Sequence, residues 1–101
     1  MIMKYHDKEI IGLHHSNRRL TIMLNDKSIA LDGVEHWEFT SFDFQNIIFE
    51  VNFFKVEETP NHIISEYEWI KKYQSLTSLQ LMEIESSVGL RGVVVFETLL
   101  K

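Results

Sequence analysis

Alternation with a period of two runs through the first two-thirds of the chain. It constrains the fold more than any other feature, because a strand with one buried face is what requires every second residue to be apolar. Leu20, Ile22 and Leu24 alternate with Arg19, Thr21 and Met23. Ile11 and Leu13 share a face before them and Ile29 and Leu31 after them, with Ser16-Asn17 and Asn25-Asp26-Lys27 as the turns between. Asp32-Gly33 reads as a hairpin dipeptide, since a tight turn needs the positive φ that glycine tolerates. Trp37 and Phe39 then share one parity and Phe42 and Phe44 the other, so a bulge or bend is expected near Ser41. From Asn46 the pattern is clearest: Ile47, Phe49, Val51 and Phe53 fall on one face, Glu50 and Asn52 on the other.

Thr59-Pro60-Asn61 changes the local rules, because proline lacks a ladder donor and suits a first helical turn, with Thr59 or Asn61 as the cap. Ile63, Tyr67 and Ile70 follow at helical spacing, with Glu66 and Glu68 before Lys71-Lys72, the charge order that a helix dipole favours. Leu79 to Ser87 and Val93 to Leu100 read as a closing hairpin around Gly89-Leu90-Arg91-Gly92, with Val93 to Phe96 apolar enough to lie centrally. The expected fold is therefore α+β, with about six mainly antiparallel strands in a twisted sheet or a two-sheet sandwich and one helix near residues 61–74. At 101 residues with 45% hydrophobic content, the chain can bury a core without staples, and one domain over residues 1–101 is expected.

The absence of cysteine excludes disulfides, thiolate zinc sites, iron–sulfur clusters and a cysteine nucleophile. Residues 1–8 lack the apolar run of a signal peptide, and Val93 to Phe96 is far too short for a membrane span, so a cytoplasmic location is expected. Ten Lys and Arg stand against fifteen Asp and Glu, a formal charge of −5 that opposes contact with nucleic acid or anionic membranes. The same balance suits a basic protein partner.

The five histidines are His6, His14, His15, His36 and His62, and they make no metal motif, since strand neighbours such as His14 and His15 point to opposite faces. His14 and His36 could meet across strands with Glu38, and Glu83 and Glu85 at i and i+2 would share one face of a strand, as acid–base carboxylates do. Glu57-Glu58 and the Glu83/Glu85 pair equally suit a solvated face. No serine sits in GxSxG, and Gly12, Gly33, Gly89 and Gly92 make no phosphate loop. Trp37 is expected in the core and Trp69, one position off the apolar stripe, at a partly exposed contact surface.

Two stretches, Ile29-Ala30-Leu31-Asp32-Gly33-Val34-Glu35-His36-Trp37 running on through Phe44 to Val51, and Leu81-Met82-Glu83-Ile84-Glu85-Ser86-Ser87-Val88-Gly89, resemble small bacterial immunity proteins. The chain resembles in particular the immunity partners of contact-dependent growth inhibition toxins. The resemblance implies a non-enzymatic cytoplasmic protein with no catalytic residue, metal or cofactor. Its partner would be one toxin C-terminal domain, a basic nuclease and specifically a ribonuclease, blocked by an acidic surface in a complex that uses one copy of this chain. The candidate contacts around the strand-to-helix junction are Glu57, Glu58, Glu66 and Glu68, with Tyr67 and Trp69 as aromatic anchors; Asp32 and Glu35 form a second patch. A different reading is a small ligand-binding or hydrolytic domain built on His14, His36 and Glu38 or on Glu83/Glu85. A third is an oligomer formed by strand pairing through the last hairpin.

Overall fold

The computed structural model describes residues 5–100. The described residues form β1 (Ile10–Ser16), β2 (Arg19–Leu24), β3 (Ser28–Asp32), β4 (His36–Thr40), β5 (Ile47–Lys55), α1 (Asn61–Glu66), β6 (Gln80–Val88), β7 (Arg91–Phe96) and β8 (Thr98–Leu100). Short 3₁₀ helices flank α1 at Val56–Glu58 and Glu68–Tyr73. All the strand pairs are antiparallel, and the strands make two four-stranded sheets in the orders β1-β2-β3-β8 and β4-β7-β6-β5.

There are thus eight strands rather than six, and the reason lies at a corner. β3 pairs with β8 and β4 with β7, while Glu97 N–H donates to Asp32 O and Glu35 N–H to Val95 O across the gap. Two long antiparallel strands therefore bend together from one sheet into the other and are cut into four by the bend. Gly33, at φ +65°, lies in this bend. Asp32-Gly33 makes that corner and not a hairpin, a correction that short-range pattern could not supply, because a hairpin and a corner both need positive φ at that place. On the opposite side Glu9 bridges Ile47, and Ile48 N–H donates to Lys8 O, so the sandwich is joined there as well.

Between the sheets lies the larger core, where Leu20, Ile22, Leu24, Ile29 and Leu31 of the first sheet meet Ile48, Val51, Met82, Ile84, Val94 and Phe96 of the second. Trp37 is half-buried against it. The alternation expected in β5 fails at its start: register shifts around Ile48 put Ile48 and Val51 inside and leave Phe49 49% exposed. A similar shift between Ile10 and Gly12 buries Ile10 and exposes Ile11. Each bulge inserts one residue and reverses the parity beyond it. Asn17 and Arg18 both take positive φ in the two-residue turn between β1 and β2, the twist that a hairpin of right-twisted strands requires.

The helical segment covers the outer face of the second sheet. Ile63, Tyr67 and Ile70 are buried there with Val56, Leu79, Leu81, Val93 and Val95. The single helix over 61–74 is instead α1 followed by a 3₁₀ helix, broken at Tyr67 with φ −126° and ψ 72°. Tyr67, Ile70 and Tyr73 recur every third residue, the spacing that stacks side chains along a 3₁₀ helix. Neither Thr59 nor Asn61 caps α1: Pro60 holds that place, and Thr59 Oγ1 donates to Val56 O at 2.7 Å. Within the last hairpin β7 lies between β4 and β6, with its apolar run buried on both faces, whereas β8 is an edge strand of the first sheet. No helix among the described residues is long and apolar enough to cross a membrane.

Candidate functional site

Register across the second sheet sets which polar groups meet on its outer face. Glu38, Val93, Glu83 and Asn52 form one line across β4, β7, β6 and β5, and Glu85 pairs with Glu50 on the next. The helical layer ends beside these lines. Its Glu66 carboxylate takes the Arg91 guanidinium at 2.5 Å, and Trp69 Nε1 donates to Glu38 Oε1 at 2.8 Å. The Trp69 ring also meets His36 edge-on at 4.4 Å and Tyr73 at 6.2 Å between centroids. Glu66 and Trp69 from one group of candidates thus join His36, Glu38, Glu83 and Glu85 from another on a single face.

Glu83 is the buried acid of this face, 8% exposed, and accepts a hydrogen bond from Asn52 Nδ2 at 3.2 Å. Burial pushes its pKa up; the Asn52 bond and His62 oppose the rise, whereas Glu85 and Glu50 reinforce it. Tyr67, buried at its side, has its phenol pushed up by burial as well. Arg91 is held more firmly protonated by its bond to Glu66. Arg91 is therefore already matched, and among the described residues Glu50, Glu83 and Glu85 have no ion pair of their own.

The sign of the Glu83 shift fixes a pH dependence. A carboxyl with a raised folded-state pKa binds more protons folded than unfolded, so stability falls as pH rises from the ordinary carboxylate range through the folded value. Glu83→Gln removes the penalty and keeps an acceptor for Asn52. The variant is expected to melt with the wild type at about pH 3.5 and above it near neutrality, as followed by circular dichroism. An equal or lower midpoint at neutral pH would show that the Asn52 bond depends on the charge.

The other candidates disperse. Glu57 and Glu58 are exposed in the 3₁₀ turn after β5, without ion pairs among the described residues, and Glu68 is exposed and pairs with Lys71 at 3.5 Å. Tyr67 is only 4% exposed, so its ring supports this layer from within and is not presented as an anchor. Asp32 and Glu35 lie at the corner and face arginines, Asp32 with Arg19 at 3.5 Å and Glu35 with Arg18. His14 belongs to β1, in the other sheet from His36 and Glu38, and lines an open depression with Ser16, Asn17, Arg19, Thr21 and Asp32. The His14, His36 and Glu38 constellation is therefore not assembled. No three His, Asp or Glu among the described residues are grouped so as to hold a metal ion.

A second surface lies at the change of parity near Ser41, where the chain does bend, although that signal says nothing of which way Phe42 and Phe44 face. β4 stops at Thr40, Ser41 takes φ +66°, and residues 41–46 form a loop that puts Phe42 and Phe44 outside at 57% and 101% exposure. Asn46, 2% exposed, pins this loop. Its Oδ1 accepts from the N–H groups of Asp43 and Leu90, both at 2.9 Å, while its Nδ2 donates to Asp43 O at 2.8 Å. Ile10 N–H donates to Asn46 O at 2.7 Å, tying β1 to the same point. Gly89, at φ +81°, lets the β6–β7 turn approach, since a Cβ there would run into Asn46 and the Gln45 carbonyl. Beside the loop an open groove of about 700 Å³ is lined by Leu13, Trp37, Phe39, Thr40, Phe42 and Leu90, among others.

Compared with protein-family models, with curated proteins and with solved structures, the chain matches none.

Proposed function

We propose that this chain is a non-enzymatic cytoplasmic binding protein that neutralises one cognate toxin domain, a basic nuclease and specifically a ribonuclease, by covering its active site. The observation that carries the reading is an excess of carboxylates held without cationic partners around the outer face of the second sheet and the helical layer. Glu50, Glu83 and Glu85 stand together by register, and Glu57 and Glu58 are exposed nearby in sequence at the end of β5. A nuclease cleft that attracts phosphate presents lysine and arginine, and such a surface matches it in sign. The formal charge of −5 acts in the same direction at longer range. The resemblance of the Ile29–Trp37 and Leu81–Gly89 stretches to immunity proteins supplies the class of partner.

The test is copurification of the protein with toxin C-terminal domains encoded beside its gene, followed by cleavage assays with and without it. A stoichiometric complex whose formation slows as salt is raised, and in which RNA cleavage stops, is the expected result. Failure to bind any of these domains, or binding without loss of cleavage, would end the reading.

A further inference from the structure

The most exposed aromatic group of the molecule sits on one of its better-braced loops. An exposed phenylalanine on a mobile loop must be ordered by any partner it meets, and that ordering opposes binding. Phe42 and Phe44 avoid much of this cost, because the three side-chain bonds of Asn46 and the Asp43 Oδ1 bond to Phe44 N–H fix the backbone that carries them. Val88, 45% exposed, follows in the neighbouring β6 and pairs in register with Ile47 just beyond the loop; Ile11, 60% exposed, follows the Ile10 that bonds Asn46. Aromatic, preorganised and beside an apolar groove, the loop has the composition of an interface centre and not of a solvated turn.

Charge decides what kind of surface it meets. Glu85 and Glu50 lie on β6 and β5 a few residues from Val88 and Ile47, and Glu83 and Glu38 lie one line further. The one arginine on that face, Arg91, is occupied by Glu66. Two copies of this chain meeting through the loop would bring these carboxylates toward one another, and like charges at an interface core oppose association. A partner with an apolar recess rimmed by lysine or arginine meets both features at once. We infer that the Phe42–Phe44 loop, with its neighbouring groove and the Glu50/Glu85 line, is the surface that docks the basic partner domain, Phe44 entering an apolar recess of that domain. This rests on the proposed function for the partner's class and places contact away from Glu57, Glu58 and Glu68.

The experiment measures the affinity of the neighbouring toxin domain, in a catalytically inactive form, for wild type, Phe44→Ser, the Phe42→Ser/Phe44→Ser double variant, Glu50→Gln/Glu85→Gln and Glu57→Gln/Glu58→Gln/Glu68→Gln. Circular dichroism melts confirm that each variant is folded; the Phe44 side chain makes so little contact that its loss should leave the midpoint unchanged. Phe44→Ser is expected to weaken binding by at least about tenfold and the double variant by about a hundredfold, through faster dissociation. Glu50→Gln/Glu85→Gln should slow association and flatten its salt dependence, and the triple variant should stay within about twofold of wild type. Wild-type affinity in the double variant, with loss in the triple variant, would overturn this inference and leave the proposed function standing. No binding by wild type would overturn both. A wild-type dimer in sedimentation that Phe44→Ser dissociates would give the surface to a second copy and overturn the inference.

Discussion

Asn46→Ala is expected to lower stability by about 3 kcal/mol, seen as a fall of about 15 °C in the thermal midpoint. The side chain is 2% exposed, and its amide satisfies two N–H donors and one carbonyl that belong to different parts of the chain. Alanine leaves the Leu90 N–H buried with no acceptor and frees the loop at Asp43. A lost hydrogen bond alone would cost about 1 kcal/mol, and the orphaned donors account for the rest. Hydrogen exchange should show the Asp43 and Leu90 amides deprotected ahead of global unfolding. At a temperature where the variant is still folded, partner binding should also weaken, because the loop must then be ordered during association. A midpoint within about 3 °C of wild type would mean that water replaces the amide and that the loop is held by other contacts.

Gly92→Ala is expected to cost a similar amount, about 3 kcal/mol, for a steric reason. Gly92 lies in β7 between β4 and β6, paired with Phe39 on one side and Ile84 on the other. A methyl group there would overlap the Glu38 carbonyl oxygen and come within 2.9 Å of the Phe39 Cα, backbone atoms that cannot turn aside. β4 would have to move, and with it the Glu38–Trp69 bond that ties the helical layer to the sheet. Gly12→Ala is the comparison: the new methyl there meets the Cε end of Met23, which has other rotamers, so a change below about 1 kcal/mol is expected. Equal midpoints for the two variants in thermal denaturation would show that β4 yields more easily than its backbone ladder suggests.

Much of the sheet was legible residue by residue. The Leu20, Ile22 and Leu24 face, the Ile29 and Leu31 face and the central position of Val93 to Phe96 follow from alternation and apolar run length, and each is buried as that logic requires. The Ile63, Tyr67 and Ile70 stripe also points inward, although the helix that carries it breaks at Tyr67. The visible change of parity marked the bend at Ser41, while neither bulge was legible. At Ile48 the inserted residue hides within a run of apolar side chains, so a strand that looks regular carries Phe49 outward.

The candidate contacts divided along the same line. Glu57, Glu58, Glu66 and Glu68 are exposed, as carboxylates in turns and on an outer helical face should be, because hydration favours the charge. Tyr67 could not be placed from composition, since a tyrosine serves a core as well as a contact. Phe42 and Phe44 were legible only as a change of parity; the structure leaves them outside because β4 ends at Thr40 and Asn46 recloses the chain behind them.

By itself, then, the sequence determined the antiparallel α+β character, the inward faces of most strands and the excess of negative charge, all properties of residues within a few positions of one another. Only the tertiary structure decided that Asp32-Gly33 is a corner and not a hairpin, that Glu38, Glu83 and Glu85 share a face with Trp69, and that Asn46 joins the Phe42–Phe44 loop to the β6–β7 turn. Each of these depends on pairing between residues about 30 or more positions apart, such as Glu38 with Trp69 or Asn46 with Leu90. Periodicity reports which side of a strand is apolar, but carries no information about which distant strand or side chain will lie beside it.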